Sequence, residues 1–365
     1  MAVLASTPKS DGFFMPAETD WHAGCWILWP ERPDNWRLGA KPAQRVVAQI
    51  AQIISQFEPV TVCVNGDQYE NARHTLAPNI RVIELSSNEA FIRDTGPSFI
   101  INGNKEMRGI DWTFNGYGGL AEGLYFPWDK DNLIAQKICQ LLYLDNYQLR
   151  EFVLEGCSFC VDGNGTMVVT EECLLSEGRN PKISQSAVET TLTEYLGVEK
   201  VIWLKRGLYM DEGKGHIDNL FSFIHPGEAM LSWTDDQSNP QYEIVREALD
   251  ILQHTPDAKN RTIRTHKMPL PDPLIITKEE AEGINYSMHT VPRCAGDRMT
   301  ASYLNCYLPN GALIYPQFND KNDKYAHEVF SAIFPHRKII GIYAREIFLN
   351  GGGIHSMVLQ QPSLR

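Results

Sequence analysis

The chain has 365 residues, 43% hydrophobic and 21% charged, with 33 Lys and Arg against 45 Asp and Glu and a net charge of −12. This is the balance of a globular protein large enough to bury its own core, and it excludes a disordered chain, a collagen and a coiled coil. An acidic field repels phosphate backbones and attracts cations, so nucleic acid is not an expected ligand and a cationic small molecule is.

No run nears the length of apolar sequence that spans a bilayer, so no membrane helix is expected. Residues 1–16, MAVLASTPKSDGFFMP, lack the apolar core of an export signal, and the expected compartment is the cytoplasm. The first amphipathic helix is read over 41–57, where Val46, Val47, Ile50, Ile53, Ile54 and Phe57 form one stripe. Short β-branched runs follow at Pro59 to Val64 and Ile80 to Leu85. A second helix, 130–143, gathers Leu133, Ile134, Ile138, Leu141 and Leu142. Val161 to Thr170 reads as a hairpin around Asp162-Gly163-Asn164-Gly165. The third helix, 186–196, opens with Ser186 and Glu189 at capping-box spacing and closes at Gly197. Leu220 to Trp233 turns at Pro226-Gly227 before a fourth helix at 241–253, and Ser302 to Tyr315 turns at Pro309-Asn310-Gly311 before a fifth at 323–334. An apolar strand is then read from Ile339 to Leu349. Strands alternating with helices argue an α/β fold, and with no compositional break a single domain over 1–365 is expected. Periodicity leaves open a doubly wound sheet, a barrel or a ring of modules.

Cys157 and Cys160 have the C-x-x-C spacing of redox and zinc sites. No second ligand pair lies nearby and the motif does not open a helix, so both are expected to be buried thiols without such a role. The Gly-rich stretches at 118–119, 163–165 and 351–353 lack the spacing of nucleotide-binding loops. Three carboxylates stand out by position. Asp218 lies two residues after His216, a spacing that on a strand places both on one face. Asp94 stands at a strand-to-turn junction in Arg93-Asp94-Thr95-Gly96-Pro97, and Glu155 ends an apolar strand before Gly156. Strand ends are where sites are built on such scaffolds.

Longer stretches carry a family resemblance. Trp29-Pro30-Glu31-Arg32-Pro33-Asp34-Asn35-Trp36-Arg37, Asp111-Trp112-Thr113-Phe114-Asn115, Leu124-Tyr125-Phe126-Pro127-Trp128-Asp129, Glu177-Gly178-Arg179-Asn180-Pro181, Gly215 to Asn219 and Pro316-Gln317-Phe318 stand in order along nearly the whole chain. Together with 93–97, 154–156 and the Gly-rich C-terminal segment, they resemble the agmatine deiminases, guanidine-modifying enzymes of the peptidyl-arginine deiminase-like superfamily. The resemblance implies five ββαβ modules around a pseudo-fivefold axis, an α/β propeller with a central site. It implies agmatine as substrate, N-carbamoylputrescine and ammonia as products, a place in putrescine and polyamine metabolism, and a homo-oligomer. The chemistry calls for no metal, nucleotide or flavin. Asp94 and Asp218 would hold the guanidinium nitrogens, since carboxylates meet the planar N–H fork bidentately. His216 would be the general acid and base, and Glu155 would hold and orient the guanidinium side with it. Glu212 would receive the distal ammonium, and Phe91 would supply an apolar wall.

The sequence departs from the family at its nucleophile. The cysteine expected directly after Ile354-His355 is Ser356. A hydroxyl ionises far less readily than a thiol and needs a strong base beside it, so Ser356 is expected to weaken or abolish turnover. The alternative reading is a guanidinium- or polyamine-binding protein with no turnover. Cys157 and Cys160 replace Gly and His, Lys214 replaces Asn, and Phe91 replaces Trp. Lys214 would weaken binding of a dication unless its side chain points away. An arginine deiminase is disfavoured, because Glu212 would repel a substrate α-carboxylate.

Overall fold

In the computed structural model, which describes residues 1–364, one unit recurs: an antiparallel strand pair, a helix, and a strand parallel to the second of the pair. The first instance pairs Ser98–Asn102 with Met107–Thr113, runs through Ile134–Leu141, and returns as Asn146–Val153. The next pairs Phe159–Val161 with Thr166–Thr170 and follows with Gln185–Leu196 and Lys200–Leu204. Phe221–His225 and Glu228–Trp233 then lead through Gln241–His254 to Arg264–Pro269. In the fourth, Ala312–Gln317, Asp323–Ile333 and Lys338–Tyr343 are complete, and the opening strand is reduced to a bridge from Tyr307 to Ile314. The fifth joins distant parts of the chain. Val358–Pro362 lies antiparallel to His22–Leu28, which leads through Lys41–Ile54 to the parallel Val60–Val64. These five ββαβ units are the α/β propeller that the resemblance implied.

All five helices read from periodicity are present, because each hides its apolar stripe on its sheet. Val47, Ile50 and Ile54 are buried on the first, and Ile244, Val245, Ala248 and Leu252 on the fourth. The third differs at its start. Ser184, not Ser186, caps it by accepting the Ala187 amide, and Glu189 instead accepts the Trp203 indole N–H at 2.7 Å. Gly197 closes that helix at φ 67°, a conformation only glycine adopts cheaply. The apolar stretch 339–349 does not remain a strand: it ends at Tyr343 and turns into the short helix Arg345–Phe348. There Arg345 is drawn to Glu280, with Nε donating to Oε1 at 2.6 Å. No helix among the described residues is long and apolar enough to cross a membrane.

What positions the site is the turn that enters each module. Ile92–Thr95, Gly156–Ser158, Ile217–Asn219 and Ile354–Met357 immediately precede the first strands of four modules, and Asn305 precedes the bridge of the remaining one. Ile92–Thr95 touches both Gly156–Ser158 and Ile354–Met357, and Gly156–Ser158 touches Ile217–Asn219. Asn305 closes the set by donating to Asp218 and Ser356.

Candidate active site

Asp94 does not stand at a strand end: it lies within the short helix Ile92–Thr95, 5% exposed. Its Oδ1 accepts the Cys157 amide at 2.8 Å and its Oδ2 the Tyr117 hydroxyl at 2.9 Å. Burial raises its pKa, and His216 offsets this only in part. The Cys157 amide can reach it because the chain before it runs close. A Cβ on Gly156 would stand 2.1 Å from the Arg93 carbonyl oxygen, so residue 156 must be glycine.

Glu155 is fully enclosed. Arg179 donates to it through Nε at 3.0 Å and Nη2 at 3.2 Å, and His216 Nε2 lies 2.9 Å from its Oε2. Burial alone would raise its pKa, but Arg179 and His216 outweigh burial and hold the carboxyl at about 2. His216 and Asp218 are not on a strand. They sit where an irregular loop enters the turn Ile217–Asn219. Asp211 shapes that loop by accepting the amides of Gly213, Gly215 and His216 at 3.3, 3.1 and 2.8 Å. Burial opposes charge on His216, yet Cys157, Cys173, Glu155 and Asp94 around it push its pKa well up, so the imidazolium is favoured.

Asp218 gathers three donors on Oδ2: Asn305 Nδ2 at 2.9 Å, His355 Nδ1 at 3.0 Å and the Ser356 hydroxyl at 3.4 Å. Its pKa is lowered despite burial, chiefly by His355. Its Oδ1 is buried and has no hydrogen-bond donor among the described residues. His355 is braced from behind by Glu18, which is in turn paired with Arg93 at 2.9 Å. Ser356 is 4% exposed and accepts the Gly353 amide at 3.2 Å and Asn305 Nδ2 at 3.4 Å. The nearest carboxylate to its hydroxyl is Asp218.

A cavity opens above this floor, lined by Phe91, Asp94, Tyr117, His216, Ser356 and the backbone of 350–352. Gly352 lies against the Phe91 ring, and its missing side chain makes room for that wall. Glu212 stands at the rim, where its carboxylate abuts Gly351. Arg293 holds it by a two-pronged contact, Nε at 3.0 Å and Nη2 beside Oε2, and also donates to the Asn350 carbonyl at 3.2 Å. Lys214 turns away from the cavity to Glu122, 2.7 Å distant.

The structure thus brings Asp94, Glu155, His216, Asp218 and Ser356 together, with Phe91 as a wall and Glu212 at the rim. Neither Glu155 nor Asp218 lines the cavity: Glu155 meets it through His216, and Asp218 through Ser356. Sequence reasoning missed Tyr117, Arg179, Asp211, Arg293, Asn305 and the His355–Glu18–Arg93 relay. Of these, Arg93, Arg179 and His355 lay inside motifs already marked. Asp211 and Asn305 carried no local signal. The C-x-x-C pair is split: Cys160 Sγ accepts the Phe223 amide at 3.5 Å, whereas Cys157 turns toward Asp94 and His216.

The chain as a whole is similar to known proteins. Residues 14–362 match the model of the Porphyromonas-type peptidyl-arginine deiminase family. The chain is 48% identical to an agmatine deiminase of Pseudomonas aeruginosa over 366 aligned positions, covering 100% of both proteins. It superposes on the solved agmatine deiminase of Enterococcus faecalis with a TM-score of 0.97 at 47% identity, covering 100% of both chains. A C. jejuni agmatine deiminase carrying a cysteine-to-serine substitution, solved with substrate bound, aligns with a TM-score of 0.81 at 25% identity, covering 97% of both chains. The chain therefore belongs to the Porphyromonas-type peptidyl-arginine deiminase family and stands among its agmatine deiminases.

Proposed function

We propose that the site takes agmatine and water to N-carbamoylputrescine and ammonia, as a cytoplasmic step in putrescine formation, and that Ser356 makes this turnover slow or absent. The observation that carries the reading is a pair of buried carboxylates: Asp94 lines the cavity, and Asp218, whose Oδ1 has no donor among the described residues, lies behind Ser356 and close enough to help raise the Asp94 pKa. Two carboxylates with spare lone pairs suit the N–H fork of a guanidinium, and a substrate cation would offset the cost of holding them buried together.

In this reading Asp94 and Asp218 fix the guanidinium plane. The Ser356 hydroxyl attacks its carbon, its proton passing to Asp218, to give a tetrahedral adduct, and His216 supplies the proton with which ammonia leaves. Water then attacks the same carbon, His216 takes its proton, and the bond to Ser356 breaks as Asp218 returns the proton to the hydroxyl. Glu155, anchored by Arg179, orients His216 and stabilises its charge. Glu212 meets the distal ammonium at the rim with Arg293 fixed behind it, and Phe91 packs along the methylene chain. Lys214, paired with Glu122, leaves the cavity's charge unchanged.

One observation favours the second reading, binding without turnover. The Ser356 hydroxyl is poised only toward Asp218, a carboxylate whose pKa is lowered and which is therefore a weak base. The cysteine-to-serine C. jejuni relative holds substrate, in keeping with a serine-bearing site that binds.

The test is ammonia release from agmatine by this chain and by Ser356→Cys. Restoring the thiol should raise turnover by roughly 10⁴- to 10⁶-fold, the scale of nucleophile knockouts. No gain in a variant that still binds agmatine would remove position 356 from the role of nucleophile. Greater thermal stabilisation by arginine than by agmatine would overturn the choice of substrate.

A further inference from the structure

Cys157 has no part in that chemistry, yet its thiol lies at the centre of the site. It is fully buried, and the hydrogen bond its backbone N–H donates to Asp94 Oδ1 fixes where its side chain projects. The sulfur, an oxygen of Asp94 and a ring nitrogen of His216 all lie within 4.8 Å of one another. The same sulfur forms a second triad, within the same limit, with Asp218 and His355. Ligands around a tetrahedral divalent ion stand about 3.3–3.8 Å apart, so closing the first triad asks for side-chain shifts of about 1 Å.

Three further features suit a cation. Both Asp94 oxygens carry one donor each and keep a lone pair to share. Asp218 is 5% exposed, and its Oδ1 has no donor among the described residues. His216 is oriented through Nε2 by Glu155, which Arg179 anchors in turn. A carboxylate behind a histidine is the arrangement that fixes metal-ligating imidazoles. His355 differs: Asp218 and Glu18 engage both its ring nitrogens, so it braces the set.

We propose that Cys157, His216 and Asp94 form a binding site for a thiophilic divalent ion of the zinc class, with the fourth position taken by water or by Asp218, which is grouped with the same sulfur but not with the other two and would have to swing toward them. The mixed sulfur, nitrogen and oxygen set suits such an ion better than magnesium or calcium, which take oxygen ligands. The ion would hold Cys157 as thiolate and His216 as neutral imidazole, so the thiol proton and the imidazolium proton would both pass to bulk water on loading. On the function proposed above, the ion and a guanidinium compete for Asp94, so metal loading would shut the site.

The probe is Co²⁺ added to the reduced, chelator-treated full chain, and the readout does not depend on turnover. One equivalent should bind with a sulfur-to-cobalt charge-transfer band and the intense visible bands of a tetrahedral ion, and Zn²⁺ should bleach both. Cys157→Ser should lose the charge-transfer band, while Cys173→Ser should keep it. No band in the parent chain, a band that survives Cys157→Ser, or one lost in Cys173→Ser would each overturn the assignment. X-ray absorption of the zinc-loaded parent needs no variant. One sulfur at about 2.3 Å beside nitrogen and oxygen supports the site, and a shell without sulfur refutes it.

Discussion

Replacing Arg179 by methionine tests the electrostatic frame behind His216. Arg179 and Glu155 side chains are 1% and 0% exposed, so solvent screens neither. Arg179 and His216 together hold Glu155 at about 2 against an ordinary 4.5, despite burial. A difference of about 2.5 pKa units corresponds to about 3 kcal/mol of stability. The folded value lies below the unfolded one, so this contribution is complete above about pH 4.5 and is lost as pH falls toward 2. In Arg179→Met, Glu155 keeps His216 as its one cationic partner, so its pKa rises toward the ordinary value; breaking such a buried pair costs about 3–5 kcal/mol at neutral pH. Lowering the pH protonates Glu155 in the variant and relieves that cost. Urea unfolding followed by tryptophan fluorescence should therefore show a gap of about 3–5 kcal/mol near pH 7 that narrows by at least about 1 kcal/mol near pH 4. A gap below about 1 kcal/mol, or one of equal size at both pH values, would refute the reasoning.

Two other substitutions probe separate points. Lys214→Asn should change agmatine affinity by less than about twofold in titration calorimetry, because an exposed pair such as Lys214–Glu122 carries little energy and points away from the cavity; a tenfold gain would mean that the lysine charge reaches the ligand. Gly156→Ala should lower stability by about 1–3 kcal/mol or more in thermal unfolding, since the new methyl would stand 2.1 Å from the Arg93 carbonyl oxygen; an unchanged midpoint would show that the turn can move.

The helices were legible because each is a stripe of apolar side chains with one sheet to cover, as in Val47, Ile50 and Ile54. Local conformation at the site was less so. Asp94 is read onto a strand-to-turn junction and His216 and Asp218 onto one strand, whereas the structure places Asp94 in the short helix Ile92–Thr95, Asp218 in the turn Ile217–Asn219 and His216 just before that turn. Their conformation is set by long-range bonds: the Cys157 amide onto Asp94, and Asp211 onto three amides of its own loop. Periodicity has no access to such bonds. Residues named from whole motifs lie together, whereas Asn305, which sits in no quoted motif, emerged only when the modules were seen to contribute equivalent turns. Cys157 shows the limit of reading spacing alone, since its partner in C-x-x-C faces another side of the module.

The pairing of Val358–Pro362 with His22–Leu28 has a consequence for synthesis. His355 and Ser356 lie immediately before that strand, so a growing polypeptide holds Asp94, Glu155, His216 and Asp218 before it holds these two. Until residue 358 and its successors emerge from the ribosome, the mostly buried strand around Trp26 and Ile27 offers an open edge, the kind of surface on which nascent chains pair with one another. Completion of the site and covering of that edge therefore depend on the same short stretch, 355–362.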